Sequence, residues 1–428
     1  MSPTESASTR GQRLRAGVLP APGPLRTLTK ATLANTVGNG LYYTVEVLFF
    51  ARSVGIPVHR VALGLGVAAV FGLLVSIPVG HLSDRWDPRF VVAAGTVGQG
   101  VVMATFVLVH SFLPFLLLNV VSGALQGATG AGRSVVIGRM GEGEGRVQVL
   151  AYQRAVTNLG MSVGIALSGV GLAIDTRAAY VTMVLANAVT FFVAAGFVLR
   201  LPALPARPVE PGGRRAPMTV VLRDRRYLSA AVLNGLFSVH FVIQSVALPL
   251  WVVEDTRAPR WWVSVLLVVN TLMVIALQVR ASRGSGDVAR AARVYRRAGL
   301  LVALACVLYG AAHGLDPIVA SAVLVLAMVA HSLGEILSSG ASWGLGYGLA
   351  REDLLGQYQG AYSLGRSLSG IVGPSLVTAL AIGAGRLGWL VLAGGFAVLG
   401  TAFTPLVTGA TRDRAMTPRT SSAAEAAD

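Results

Sequence analysis

The sequence predicts an all-α polytopic membrane protein: twelve transmembrane helices in two pseudo-symmetric six-helix bundles. Three observations predict it. Of 428 residues, 54% are apolar and only 13% charged, about half the ~25% charged content of soluble domains. The apolar residues fall into runs long enough to cross a bilayer. The 35 Lys+Arg residues, against 19 Asp+Glu, give a net charge of +16, and most of them fall on one side of those runs. A soluble domain would have too few charges to cover its surface, and a nucleic-acid binder this basic would not have a mean hydropathy of +0.66. Disorder is excluded by the same apolar content.

Taken in order, residues 1–26 carry Arg10, Arg13 and Arg15 among prolines, with no apolar core or small-residue cleavage pattern, and read as a cytoplasmic tail. A first bundle (27–200) holds apolar runs at 29–51, 61–80, 90–110, 112–138, 155–174 and 178–199. Each is bounded by charge, Gly or Pro, and each suits an α-helix crossing ~30 Å of hydrocarbon. Residues 201–226 form a cytoplasmic linker rich in arginine and proline that no bilayer would hold. A second bundle (227–408) has runs at 228–252, 261–280, 297–313, 317–345, 358–382 and 387–408, and 409–428 form a second cytoplasmic tail. The short alternating segments of a β-barrel are absent.

With the N-terminus inside, 29 basic residues fall on the inner side and six on the outer (Arg52, Arg60, Arg177, Arg257, Arg260, Arg386). That bias places both termini in the cytoplasm, with Arg133, Arg154 and Arg366 counted in or beside inner loops. It explains the basic charge as topology and attraction to anionic lipid, without nucleic acid. The halves also look related. Tyr152-Gln153 and Leu159-Gly160 open span 5, and Tyr358-Gln359 and Leu364-Gly365 open span 11, which suggests a duplicated 6+6 chain. Cys306, the single cysteine, lies in an apolar run and reads as a small buried hydrophobe.

After span 2 stands Gly80-His81-Leu82-Ser83-Asp84-Arg85-Trp86-Asp87-Pro88-Arg89. It resembles the G-x-L-x-D-R-x-x-x-R signature of the major facilitator superfamily, in the same loop, and is nearest the drug:proton antiporter-like branch. Gly80 permits close helix approach. Asp84 is placed to cap the next helix, and Arg85 and Arg89 face the inner surface. The resemblance implies a gate motif (Gly80, Asp84, Arg85, Arg89) in which Asp84 locks the cytoplasmic side of the outward-facing state. The chain departs from the antiporter pattern in three places. Gly123 replaces an arginine ahead of Gln126-Gly127, span 5 reads Gly164-Ile165…Ser168-Gly169 without the proline, and span 1 has Asn39 where relatives place an aspartate.

Glu46 and Glu335 are the acids well inside predicted spans, and an acid there is costly and tends to mark a proton relay or counter-ion. His331 lies one turn before Glu335, so both point the same way. Glu46, Glu335 and His331 are the candidate proton-coupling groups. In the resembled family spans 1, 4, 7 and 10 line the central cavity, which implies cavity roles for Asn39, Tyr43, Asn119, Gln126, His240 and Gln244. Trp343 and Tyr347 read as interfacial anchors near the inner end of span 10, and Gly123, Gly127, Gly130 and Gly132 as a close-contact face of span 4. No phosphate loop, H-E-x-x-H or G-x-S-x-G motif occurs, so no enzyme, cofactor or metal site is expected. The reading is a monomeric secondary transporter in a bacterial plasma membrane, exporting a small, mainly apolar organic molecule against protons. The alternatives are an importer or uniporter of the same fold, or a non-transporting sensor or scaffold.

Overall fold

The computed structural model describes residues 23–204 and 220–416, with side chains through Val407. Most of the expected tails (1–22 and 417–428) and of the linker (205–219), with Arg10, Arg13, Arg15, Arg207, Arg214, Arg215 and Arg419, lies outside the described residues, while 409–416 continue the last helix and are not tail.

Among the described residues are twelve long helical rods. The first six are α1 (Pro24–Leu48, continued by a π-helical turn Phe49–Ser53), α2 (Val58–Arg85), α3 (Pro88–Thr105), α4 (Phe112–Met140), α5 (Gly143–Ile174) and α6 (Arg177–Leu199). The second six are α7 (Arg225–Glu254), α8 (Trp262–Ala281), α9 (Val288–Ala311), α10 (Pro317–Gly348), α11 (Leu355–Val377, then a π-helical stretch Thr378–Gly383) and α12 (Gly385–Met416). Eleven of the twelve are long and apolar enough to span a bilayer; α1 is not among them. It has the length, but Lys30, Asn35, Asn39, Glu46 and a row of threonines lower its apolarity. Most of those threonines return their hydroxyls to the carbonyl one turn back, as Thr29 does to Leu25 at 2.8 Å and Thr44 to Gly40 at 2.8 Å. Such back-bonding lets a polar helix lie among apolar neighbours.

Several helices run past the hydrocarbon. α5 has 32 residues, about 48 Å, against ~30 Å of acyl chain. It begins at Gly143, twelve residues before the apolar run that announced it. The ends are capped locally: Asp87 accepts from the Arg89 N–H at 3.0 Å to start α3, and Asp287 from the Arg290 N–H at 2.6 Å to start α9. Asp84, expected to cap α3, does not; Asp87 takes that position because it alone directly precedes Pro88 at the first helical residue.

The two halves repeat one packing plan. α2 packs on α4, α1 on α5 and α3 on α6, as α8 packs on α10, α7 on α11 and α9 on α12. Each half encloses its own apolar core. The second is built from Trp251, Tyr309, Trp389, Phe396 and Phe403 with their neighbours. The first is built around Phe49, Phe50, Phe106 and Phe115, with a further cluster at the Leu28–Leu201 end. Within the first half, α4 lies directly on α2. A Cβ on Gly123 would stand 2.0 Å from the Ala68 carbonyl oxygen, and one on Gly127 2.1 Å from that of Gly72. Gly130, expected on the same face, has nothing within 4 Å and takes no part in it. Leucines and valines such as Leu74, Leu113, Val189, Val268 and Val398 are exposed on the outer surface, a belt suited to lipid.

Candidate functional site

The halves meet along a seam in which α2 packs on α11 and α5 on α8 and α10. The seam is closed at the end carrying the α2–α3 loop, here called the basic end. Gly80 and Gly356 touch backbone to backbone there: a Cβ on Gly80 would sit 2.3 Å from the Gly356 oxygen. Beside them Asp84 accepts from the backbone N–H groups of Gly356 at 2.7 Å and Gln357 at 3.3 Å. Asp84 thus caps α11, a helix of the other half, where the exposed N–H groups and helix dipole favour a carboxylate. Arg139 fixes the turn by donating to the carbonyls of Ser83 at 3.0 Å and Asp84 at 3.1 Å. Arg89 holds Asp87 at 2.8 Å and the Leu201 carbonyl at 2.6 Å, while Arg85 is exposed.

A second latch repeats the first. Glu144, at the start of α5, accepts from the N–H groups of Gly284 at 2.7 Å and Gly286 at 3.1 Å in the α8–α9 loop. Arg146 adds an ion pair to Glu352 at 3.3 Å. Tyr347 donates to the Ser134 carbonyl at 2.9 Å, with Arg146 over its ring. Tyr347 is therefore buried between the halves and is not the interfacial anchor its sequence position suggested, because α10 continues past it to Gly348. Replacing Asp84 by Asn keeps one acceptor and removes the charge. We expect the closed end to lose about 1 kcal/mol, read as several-fold faster labelling of a cysteine introduced at the buried Ser285. Cys306 is itself buried and gives little background. Unchanged labelling would show that the Asp84 charge does not hold the seam.

Deeper along the seam lies a polar cluster. The Glu335 carboxylate, 2% exposed, pairs with Arg154 of α5 at 2.6 Å. It also accepts from Asn270 of α8 at 2.8 Å and Gln244 of α7 at 3.1 Å. Gln244 reaches it from a π-helical turn, Ile243–Ala247, that precedes Pro249; such turns re-aim side chains and recur at functional sites. The His331 ring nitrogens lie against other partners than Glu335: Nε2 lies 3.3 Å from His240 Nδ1, and Nδ1 lies 3.4 Å from the Tyr309 hydroxyl. The His331–Glu335 unit expected from their one-turn spacing is thus divided between two networks, since Arg154 and Asn270 claim the carboxylate.

Phe241 is flanked by two guanidinium groups, Arg154 at 5.2 Å and Arg366 at 5.8 Å from the ring centre. Arg366 lines a pocket with His240, Phe241, Tyr295, Ser338 and Trp343. Arg154 and Arg366 each lie eleven residues inside their helices, about 16 Å along the axis, and so do not belong to inner loops as the charge count assumed. Arg133, in α4, is also within its helix, donating to Gln153 at 2.6 Å and to Thr32.

The remaining predicted residues divide by place. Tyr43 and Gln126 meet at 3.3 Å and are both exposed on the first half. Glu46 accepts from Tyr42 at 2.8 Å. Arg52, its nearest basic neighbour in sequence, pairs with Asp175 at 3.1 Å. The Tyr180 hydroxyl, with Arg52 behind it, holds the Asp175 carboxyl below the usual range. Asn39 donates to Asn35 at 3.3 Å. Asn119 is buried and donates to the Phe115 carbonyl of its own helix at 2.9 Å, so its amide N–H is spent locally. Sequence reasoning missed Arg154, Arg366 and Asn270. The one available signal was that each falls in or beside an apolar run in a chain with few interior charges.

A model of the Major Facilitator Superfamily matches residues 29–374. The chain belongs to that superfamily. Solved structures agree with this fold. A bacterial homologue of the iron transporter ferroportin, in an outward-facing state, superposes with a TM-score of 0.72 at 13% identity, covering 91% of this chain and 99% of the other. The transporter FucP, in the outward conformation, gives 0.67 at 16% identity over 89% and 98%. The human organic anion transporter MFSD10 gives 0.65 at 16% identity over 89% and 98%. The chain is thus a multi-pass membrane protein of a superfamily that transports small substrates.

Proposed function

We propose that this facilitator is a proton-coupled exporter of a small organic molecule, acting as a monomer by rocking its halves about the cavity between them. The observation that carries the reading is the seam: each half has its own core, while the bonds described between the halves are polar and gather from the basic end to mid-depth. Such a seam can be parted without unpacking either bundle, which alternating access requires. The bias of basic residues supports a cytoplasmic basic end and a bacterial plasma membrane. The conformation described, closed at that end, is then the outward-facing one.

Glu46 is the candidate proton carrier. Its bonding partner is a neutral tyrosine, and it stands near the open Tyr43–Gln126 surface, so protonation changes the charge of the cavity wall without breaking an ion pair. Glu335 is tied to Arg154 across the seam and serves as the counter-ion that the closed state needs. Competition between a proton at Glu46 and substrate in the cavity couples the two fluxes. The test is flux in proteoliposomes with an imposed proton gradient. We expect Glu46→Gln to abolish the response to the gradient while exchange continues; wild-type coupling in that variant would refute the assignment.

A further inference from the structure

Arg366 is a charge in the middle of the molecule for which the described residues supply no counter-ion. Two guanidinium groups flank the Phe241 ring, and the one carboxylate within the cluster, Glu335, is bonded to Arg154 at 2.6 Å. One positive charge is left over. Arg133 adds a third interior cation whose bonds go to neutral Thr32 and Gln153. A bare guanidinium at this depth is tolerable only while the cavity is wet, and Arg366 is exposed in the conformation described. When the opposite end closes and water leaves, the cost of a lone buried charge rises by several kcal/mol unless an anion accompanies it.

We propose that the cavity binds an organic anion, its carboxylate or sulfonate on Arg366 and its apolar, preferably aromatic, body against Phe241 and Trp343. The planar fork of Arg366 suits a two-oxygen acid group. Phe241, Trp343 and His240 supply flat apolar surface on the same pocket wall. Ser338 and Ser339 offer small hydroxyl groups beside it. Arg154, already neutralised, helps to orient the Phe241 ring and leaves Arg366 to take the ligand. The inference deepens the transport reading by naming its substrate class.

The test is equilibrium binding to the purified full-length protein in detergent, with benzoate and naphthalene-2-sulfonate compared with uncharged benzamide at one pH and ionic strength. We expect both anions to bind at least tenfold more tightly than benzamide and to quench tryptophan emission through Trp343. Arg366→Gln is expected to lose that preference, and Arg366→Lys to keep part of it, within about tenfold of wild type. Should Arg366→Gln fail to fold, the anion preference of the wild-type protein and its partial retention in Arg366→Lys decide the matter. Equal binding of benzamide, no binding of either anion, or full anion binding in Arg366→Gln would overturn the proposal. Arg366-dependent anion binding without any flux would uphold this site and count against transport. Proton-driven flux of uncharged compounds without anion binding would do the reverse.

Discussion

Glu335→Gln is expected to open the seam. The substitution leaves Arg154 without its carboxylate, next to Arg366, in a cluster whose remaining donors, Asn270 and Gln244, then have one neutral oxygen to share. Stranding one member of a buried pair costs ~3–5 kcal/mol; Arg154 keeps a quarter of its side chain exposed, so the lower figure applies. Because Arg154 and Glu335 belong to different halves, the loss falls on the closed state. About 3 kcal/mol corresponds to a shift of roughly a hundredfold in the balance between closed and open basic ends. Labelling of a cysteine at Ser285, fully buried at that end, should rise accordingly. Arg154→Gln combined with Glu335→Gln should restore much of the closure, since no lone charge remains. Labelling unchanged by the single substitution, or a double variant as open as the single one, would remove the pair from the seam.

Gly80→Val is expected to stop the transport cycle while sparing the fold. A Cβ on Gly80 would stand 2.3 Å from the Gly356 carbonyl oxygen and 2.7 Å from its carbonyl carbon, and both are backbone atoms that cannot turn aside. The basic end then cannot close, but with the halves parted Gly80 faces open space and each bundle keeps its core. Flux should fall at least a hundredfold, with normal expression and monodispersity, and Ser285→Cys should label rapidly in this background. Gly130→Ala, with nothing within 4 Å, is the matched control and should transport normally. Wild-type flux in Gly80→Val would mean that this contact is not visited during turnover.

How much of this was legible in advance can be judged residue by residue. The Gly80–Arg89 motif was found by pattern, and its loop was placed correctly. Its partner was not found: Asp84 was assigned to the next helix in sequence, whereas it caps a helix that begins some 270 residues later. Glu335 stood out as an interior acid and did prove to be the centre of a network. His331, its neighbour by spacing, contacts His240 and Tyr309 instead, because helical spacing says which side chains share a face and nothing about which partner on a second helix each one meets. Asn119 shows the same limit, since a polar residue on a cavity helix can return its bond to its own backbone.

The arginines give the clearest lesson. Arg154 counts as a loop charge because it stands just before the apolar run 155–174, whereas its helix begins eleven residues earlier at Gly143; Arg366 lies inside the run 358–382, and assigning it to the 10–11 loop puts an interior charge at the surface. A hydropathy pattern therefore places Arg154 at a membrane surface when it is a third of the way along its rod. The sequence alone determined what depends on local composition and period: an all-helical membrane protein, its two halves, its superfamily and the residues of its signature loop. The tertiary structure decided what depends on pairing between distant helices: that Arg154 answers Glu335, that Asp84 and Glu144 latch opposite halves, and that Arg366 has no counter-ion among the described residues. Those pairings are set by the packing of two separately folded bundles, and no spacing within either one encodes them.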